Sequence, residues 1–246
     1  MAKCAVAIVA DPTMPKFVVE FGKDTAPPAD DGRLDAPAFH RNHDAIWSAL
    51  FPILNEESGD ILELGSGTGQ HAATFARRSP HMTWWPSDIA PVHLASIAAW
   101  GRQAGLPNLR PPQRIDLSSP GWTWRNDTGS GAPLTAVTCN NVLHIAPWAI
   151  SQNLIAGAGR LLRDGGHLFI YGPFMRGSRH TAPSNADFDR SLRARNPEWG
   201  VRDVGDLETL ASGAGLTLAA VVPMPSNNLV LVFVRAARRA GRYRRL

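Results

Sequence analysis

The sequence predicts an α/β domain of the Rossmann-like, doubly wound kind: a mostly parallel seven-stranded sheet, helices on both faces, and an antiparallel hairpin at the C-terminal end. Three observations predict it. Short apolar runs alternate with helical periodicity from Ala38 to Ala214, the pattern of successive βα units. The first of those runs, Asp60-Ile61-Leu62-Glu63-Leu64, passes straight into Gly65-Ser66-Gly67-Thr68-Gly69, a turn that lets backbone approach a ligand at the carboxyl end of a strand. The last two runs, 218–222 and 229–234, are joined by Pro223-Met224-Pro225-Ser226-Asn227-Asn228. That loop is too short for a crossover helix, so the two strands pair antiparallel.

The elements follow in order. Residues 1 to about 32 carry no trustworthy period, and Asp24–Gly32 is rich in Pro, Ala and Asp, so the domain is expected over 33–235 after a flexible extension. Ala38–Leu54 is helical, with Ile46, Leu50 and Ile53 or Leu54 on one face. The strand 60–64 leads to a helix from Gln70 to Arg78, a strand from Met82 ending at Pro86-Ser87-Asp88, a helix 92–104 and a third strand 114–117. A Gly/Ser/Pro loop, 126–133, precedes a strand 134–139, a helix 150–162 and a strand 166–171. A polar helical insert, Asn185–Arg195, and a helix 207–214 come before the closing hairpin. A nucleotide-binding fold of the dinucleotide type would continue βαβ to its end; a closing hairpin marks the class I methyltransferases instead.

Composition excludes several classes. The chain has 246 residues, 44% hydrophobic and 19% charged, enough for one buried core. No apolar run approaches the roughly 20 residues of a membrane span, and Cys4–Ala10 is too short for a signal peptide. The two cysteines, Cys4 and Cys139, sit in a tail and a buried strand, which argues against a disulfide and for the cytoplasm. Six arginines crowd into Arg235–Leu246; without them the net charge of +4 would be −2. A solvated basic tail at 236–246 explains this run better than a nucleic-acid contact, since the tail offers no aromatic beyond Tyr243.

The glycine loop carries the strongest chemistry. In a dinucleotide site the third glycine falls at position 70, where this chain has Gln70; its glycines run G-x-G-x-G, which favours S-adenosylmethionine over NAD. The helix that follows aims its N-terminal amides at the site, suited to a carboxylate. Asp88, 21 residues after Gly67, stands where an acid accepts from two ribose hydroxyls, or where it caps the next helix. Asp116 stands where an acid accepts from an adenine amino group, with Leu117 along the ring, or forms a turn with Ser118. Asn140, Asn141 and His144 follow the fourth strand, at the sheet edge where ligands bind. There His144 is a candidate base working near neutral pH, although a lone histidine is more often structural. Tyr171 orients an acceptor or packs, and Trp148 and Trp199 read chiefly as packing. No zinc-ligand pattern, nucleophile elbow or Walker loop occurs, so no metal is expected.

The chain closely resembles the methyltransferase-like protein 26 family from about Ala38 to Val234. The resemblance is carried by Gly65-Ser66-Gly67-Thr68-Gly69-Gln70-His71-Ala72-Ala73, Trp85-Pro86-Ser87-Asp88, Tyr171-Gly172-Pro173 and Ser184-Asn185-Ala186-Asp187-Phe188-Asp189. It continues through Leu192-Arg193-Ala194-Arg195-Asn196-Pro197-Glu198-Trp199-Gly200-Val201-Arg202-Asp203 and Met224-Pro225-Ser226-Asn227-Asn228. Arg41-Asn42 fits the family's start, with His40 where an acid is usual. The resemblance implies the class I fold and S-adenosylmethionine binding, and supplies no acceptor.

The expected cofactor contacts are Arg41, Asn42, Glu63, Gly65, Ser66, Gly67, Gly69, His71, Asp88, Ile89, Asp116, Leu117 and Asn141. The candidates for catalysis and the acceptor are His144, Tyr171, Asn185, Asp189 and Arg195, with the segment Asn185–Asp203 folded over the methyl end. Within it, Phe188 and Leu192 are expected to share a buried face, and Asp189 to meet Arg193. Methyl transfer to a small molecule is the first expectation. A non-catalytic S-adenosylmethionine- or S-adenosylhomocysteine-binding protein is the alternative, and a nucleic-acid-associated protein using the arginine tail the third.

Overall fold

A computed structural model of the chain describes residues 29–129, 131 and 133–237. Cys4, the lead-in to residue 28 and the arginine tail from residue 238 lie outside the described residues. Strands β1 (Gly59–Leu64), β2 (Met82–Asp88), β3 (Gln113–Arg114), β4 (Leu134–Asn140) and β5 (Leu162–Arg176) run parallel. Strand β8 (Leu216–Met224) and β9 (Asn228–Arg235) form the hairpin, and β9 enters antiparallel to β5. The order across the sheet is β3-β2-β1-β4-β5-β9-β8, seven strands as expected. Two short strands, β6 (Arg179–His180) and β7 (Arg202–Asp203), pair with the far end of β5.

Both faces of the sheet are apolar because both are covered. Alternate residues divide between two cores. Leu62, Leu64, Leu168, Ile170, Leu231 and Phe233 pack under helices α4 (Trp148–Leu161) and α6 (Val204–Gly213). Ile61, Ala136, Phe169, Val230 and Val232 pack under α1 (Pro37–Leu54) and α2 (Gln70–Arg78). Helix α3 (Pro91–Ala104) lies beside α2. Among the described residues no helix spans the connection from β3 to β4. Trp122 and Trp124 fill the α4 core there, with Trp122 so close to Gly157 that a Cβ on that glycine would stand 2.2 Å from the indole.

Two strands differ from expectation. The third strand, expected over 114–117, ends at Arg114 because the Asp116 carboxylate accepts from the Ser118 N–H at 2.8 Å and turns the chain. The fifth, expected over 166–171, runs from Leu162 to Arg176. Beyond Pro173 its partners are β6 and β7, strands of two residues each that no local period announces. The insert is helix α5, Pro183–Arg195. No helix among the described residues is long and apolar enough to cross a membrane. Cys139 is a buried free thiol whose pKa burial raises.

Candidate functional site

The glycine loop is shaped by close approach. Gly65 has φ +69°, and a Cβ there would stand 2.6 Å from Val142 Cγ2. Gly69 has φ +90° and opens α2; a Cβ on it would meet the Ile97 backbone at 2.8 Å. Gly69 therefore serves the packing of α2 on α3. Contrary to expectation, it does not line the cavity that the loop borders.

That cavity, about 640 Å³, opens at the carboxyl ends of β1, β2, β4 and β5, where an open parallel sheet places its ligand site. One side carries three acids. Glu63 is fully buried at the tip of β1; its Oε1 accepts from Asn140 Nδ2 at 3.2 Å, and its Oε2 has no partner. Burial, with the Asp88 charge adding to it, outweighs the pull of nearby Ser66 and of the Asn140 hydrogen bond and raises the carboxyl to about 7. Asp88 ends β2. Its Oδ2 accepts from the Gly67 N–H at 2.9 Å, while Oδ1 meets the N–H groups of Ile89 and Ala90 and His93 Nδ1 within 3.0 Å. The carboxylate thus pins the glycine loop to the start of α3. Asp116 is half-buried on the rim, beside Leu117, Ile115 and Ile150.

The other side is neutral and basic. Arg41 and Asn42 of α1 face the cavity, and Asn42 Oδ1 lies 2.9 Å from His71 Nε2. Burial, aided by His43, drops His71 to about 4. The Tyr171 hydroxyl accepts from Asn228 Nδ2 at 3.0 Å, and burial raises its pKa against the pull of Asn42, Asn228 and Arg41. His144 lies in a short 3-10 turn, Leu143–Ile145, its carbonyl accepting from the Gly200 N–H. Burial, then the charges of Arg202 and Arg195, lower it to about 4. The imidazole is therefore neutral at pH 7, the form in which a base takes up a proton, and its basicity is low. Arg202 donates to the carbonyls of Leu143 and Ala146 and so clamps both ends of that turn.

The described cavity brings together Arg41, Asn42, Glu63, Gly65, Ser66, Gly67, His71, Asp88, Ile89, Asp116, Leu117, Asn141, His144, Tyr171, Asn185 and Arg195. Asp189, expected at the acceptor, lies outside it. Burial would raise Asp189, but Arg193 at 2.9 Å and the Val201 N–H at 2.7 Å hold it below the usual carboxylate range. It ties α5 to the returning chain. Asn185 lines the cavity, yet its amide donates to Thr181 Oγ1 and to the Asn227 carbonyl, fastening α5 to the β8–β9 loop. Phe188 does not share the burial of Leu192: it is 36% exposed and faces the cavity. Trp148 and Trp199 stay off the cavity, packing under Arg202 and Arg195. Sequence reasoning missed Phe39, His93, Ser226 and Asn228 as lining residues. Ser226 and Asn228 had a signal, in the Met224–Asn228 motif. No group of three metal-binding side chains occurs among the described residues.

This fold and this edge-of-sheet cavity define a class I methyltransferase fold. Solved structures agree. An O-methyltransferase family protein from Burkholderia thailandensis is similar at TM-score 0.63 and 18% identity, over 80% of this chain and 59% of its own. The S-adenosylmethionine-dependent methyltransferase SibL gives 0.61 and 20%, over 81% and 58%. CalO1, a methyltransferase in calicheamicin biosynthesis solved with S-adenosylhomocysteine, gives 0.58 and 18%, over 78% and 55%. The chain spans under three-fifths of each of these proteins, and at such identity the likeness is one of fold. Within the class, residues 33–235 match the family described as a protein of unknown function (DUF938), and the chain belongs to that family.

Proposed function

We propose that this chain is an S-adenosylmethionine-dependent methyltransferase acting on a small molecule, of the kind the methyltransferase-like protein 26 family represents, with residues 33–235 as its working unit. The observation that carries this is Glu63. A carboxyl buried at the tip of β1, one oxygen without a partner, beside a glycine loop, is an incomplete site. Leaving such an atom unpaired is costly, and the ammonium of a methionine moiety completes it. Asp88 retains acceptor capacity on Oδ2 for ribose hydroxyls. Asp116 Oδ2 is unused by the Ser118 turn and suits an adenine amino group between Leu117, Ile115 and Ile150. Arg41, Asn42 and His71 are assigned to the methionine carboxylate, with Ser66, Ile89 and Asn141 along the cofactor.

Bound S-adenosylmethionine supplies a methyl already activated by its sulfonium, so the protein's part is alignment and exclusion of water. His144 and Tyr171, both neutral, hold the acceptor by hydrogen bonds. With a pKa of about 4, His144 has little proton affinity. The acceptor is therefore one whose nucleophile is acidic or arrives deprotonated. The same observation favours a second reading, a protein that holds the cofactor or its demethylated product without turnover. The arginine tail lies outside the described residues, and the buried free thiol of Cys139 suits the cytoplasm. Incubation with methyl-labelled S-adenosylmethionine and a fractionated extract tests the proposal: label in a small-molecule fraction supports it, and cofactor binding without label in any fraction supports the second reading.

A further inference from the structure

We propose that the acceptor half of the cavity is a subsite for a small aromatic monocarboxylate, with Arg195 pairing with its anionic group and Phe188 packing on its ring. The proposal rests on the methyltransferase reading above and names its substrate class.

Helix α5 presents Ser184, Phe188 and Arg195 to the cavity, at spacings of four and seven that put them on one face. The helix has three arginines. Arg190 pairs with Asp187 and Arg193 with Asp189. Arg195 has no carboxylate partner among the described residues; its guanidinium carbon lies 5.9 Å from the Trp199 ring centroid. Stacking on a ring fixes the plane of a guanidinium and leaves its N–H edge free for a bidentate anion. The arginine that faces the cavity is thus the one of the three left without a counter-ion.

Phe188 supplies the second half. Among the described residues three large hydrophobic side chains are exposed, Phe51, Val92 and Phe188, and of these Phe188 alone lines the cavity. Its ring stands edge-on to His144, centroids 5.5 Å apart. The charges are also divided. The lining acids, Glu63, Asp88 and Asp116, all belong to the β1–β3 side, whereas the lining residues of α1 and α5 include no acid. Arg41 is assigned to the methionine carboxylate, which leaves Arg195 as the cation that the cofactor does not neutralise. One fork-shaped cation beside an aromatic wall fits a planar acid with a single charge. A phosphate monoester, close to a dianion, asks for more.

The test uses the full chain saturated with S-adenosylhomocysteine and titrated with benzoate and indole-3-acetate, against benzamide and indole-3-acetamide. Each acid is expected to bind on the order of tenfold more tightly than its amide, as a charge-assisted pair requires. Arg195→Gln is expected to erase that preference with S-adenosylhomocysteine affinity unchanged, and Arg195→Lys to keep part of it. Phe188→Ala is expected to weaken acid and amide alike. Equal binding of acid and amide, binding of neither, or a preference that survives Arg195→Gln overturns the subsite. Failure of S-adenosylhomocysteine to bind overturns the underlying reading instead, and appears in the first titration.

Discussion

Glu63→Gln tests the incomplete site at its centre. Burial holds the Glu63 carboxyl near pKa 7 against an ordinary 4.5. The folded chain therefore keeps a proton that the unfolded chain gives up, and stability falls as pH rises from about 4.5 to about 7, then levels. At 1.36 kcal/mol per unit the full difference is about 3 kcal/mol. Gln is an isostere of the protonated carboxyl and does not titrate, so Glu63→Gln is expected to be nearly neutral at pH 4 and to stabilise the ligand-free protein by about 3 kcal/mol at pH 8. Chemical denaturation of both proteins at the two pH values reads this directly. The same logic predicts that S-adenosylhomocysteine, whose ammonium favours the carboxylate, releases a proton on binding at pH 6, seen as buffer-dependent calorimetric heat that the variant lacks. Parallel stability–pH profiles for the two proteins would refute the burial argument.

Asp88→Ala removes the acceptor of three backbone N–H groups, those of Gly67, Ile89 and Ala90. It is expected to lower stability by about 2 kcal/mol and S-adenosylhomocysteine affinity by on the order of tenfold; unchanged affinity with a lower Tm would reduce Asp88 to a loop pin. Asp189→Ala strands the buried Val201 N–H and unpairs Arg193. It is expected to cost about 1–3 kcal/mol of stability and to leave S-adenosylhomocysteine affinity intact, whereas a silent variant would mark an ordinary surface pair.

What was legible in the sequence was local. The run Asp60–Leu64 into Gly65–Gly69 locates β1, the loop and the start of α2 at Gln70, because strand alternation, left-handed glycines and helix onset each leave a short-range mark. The acids at strand ends are legible by the same rule, and Glu63, Asp88 and Asp116 do line one cavity. The acceptor side was harder, since it is assembled by chain return. Asp189 and Arg193 are four apart and their pairing is readable, but the Val201 N–H that turns Asp189 inward arrives from beyond α5. Phe188 carries the same helical spacing to Leu192 as a core pair would. It faces the cavity because α5 packs on β6 and is tied to the hairpin loop through Asn185, a placement no period encodes. The depressed pKa of His144 likewise depends on burial and on Arg202 and Arg195, all set by tertiary packing.

The cavity beside Gly65–Gly69 is proposed as an S-adenosylmethionine site. Calorimetric titration of the full chain with S-adenosylmethionine, S-adenosylhomocysteine and NAD tests it most directly. Saturable one-to-one binding of the first two, competition between them, and no heat from NAD are expected. Binding of NAD with no binding of either adenosyl compound would contradict it.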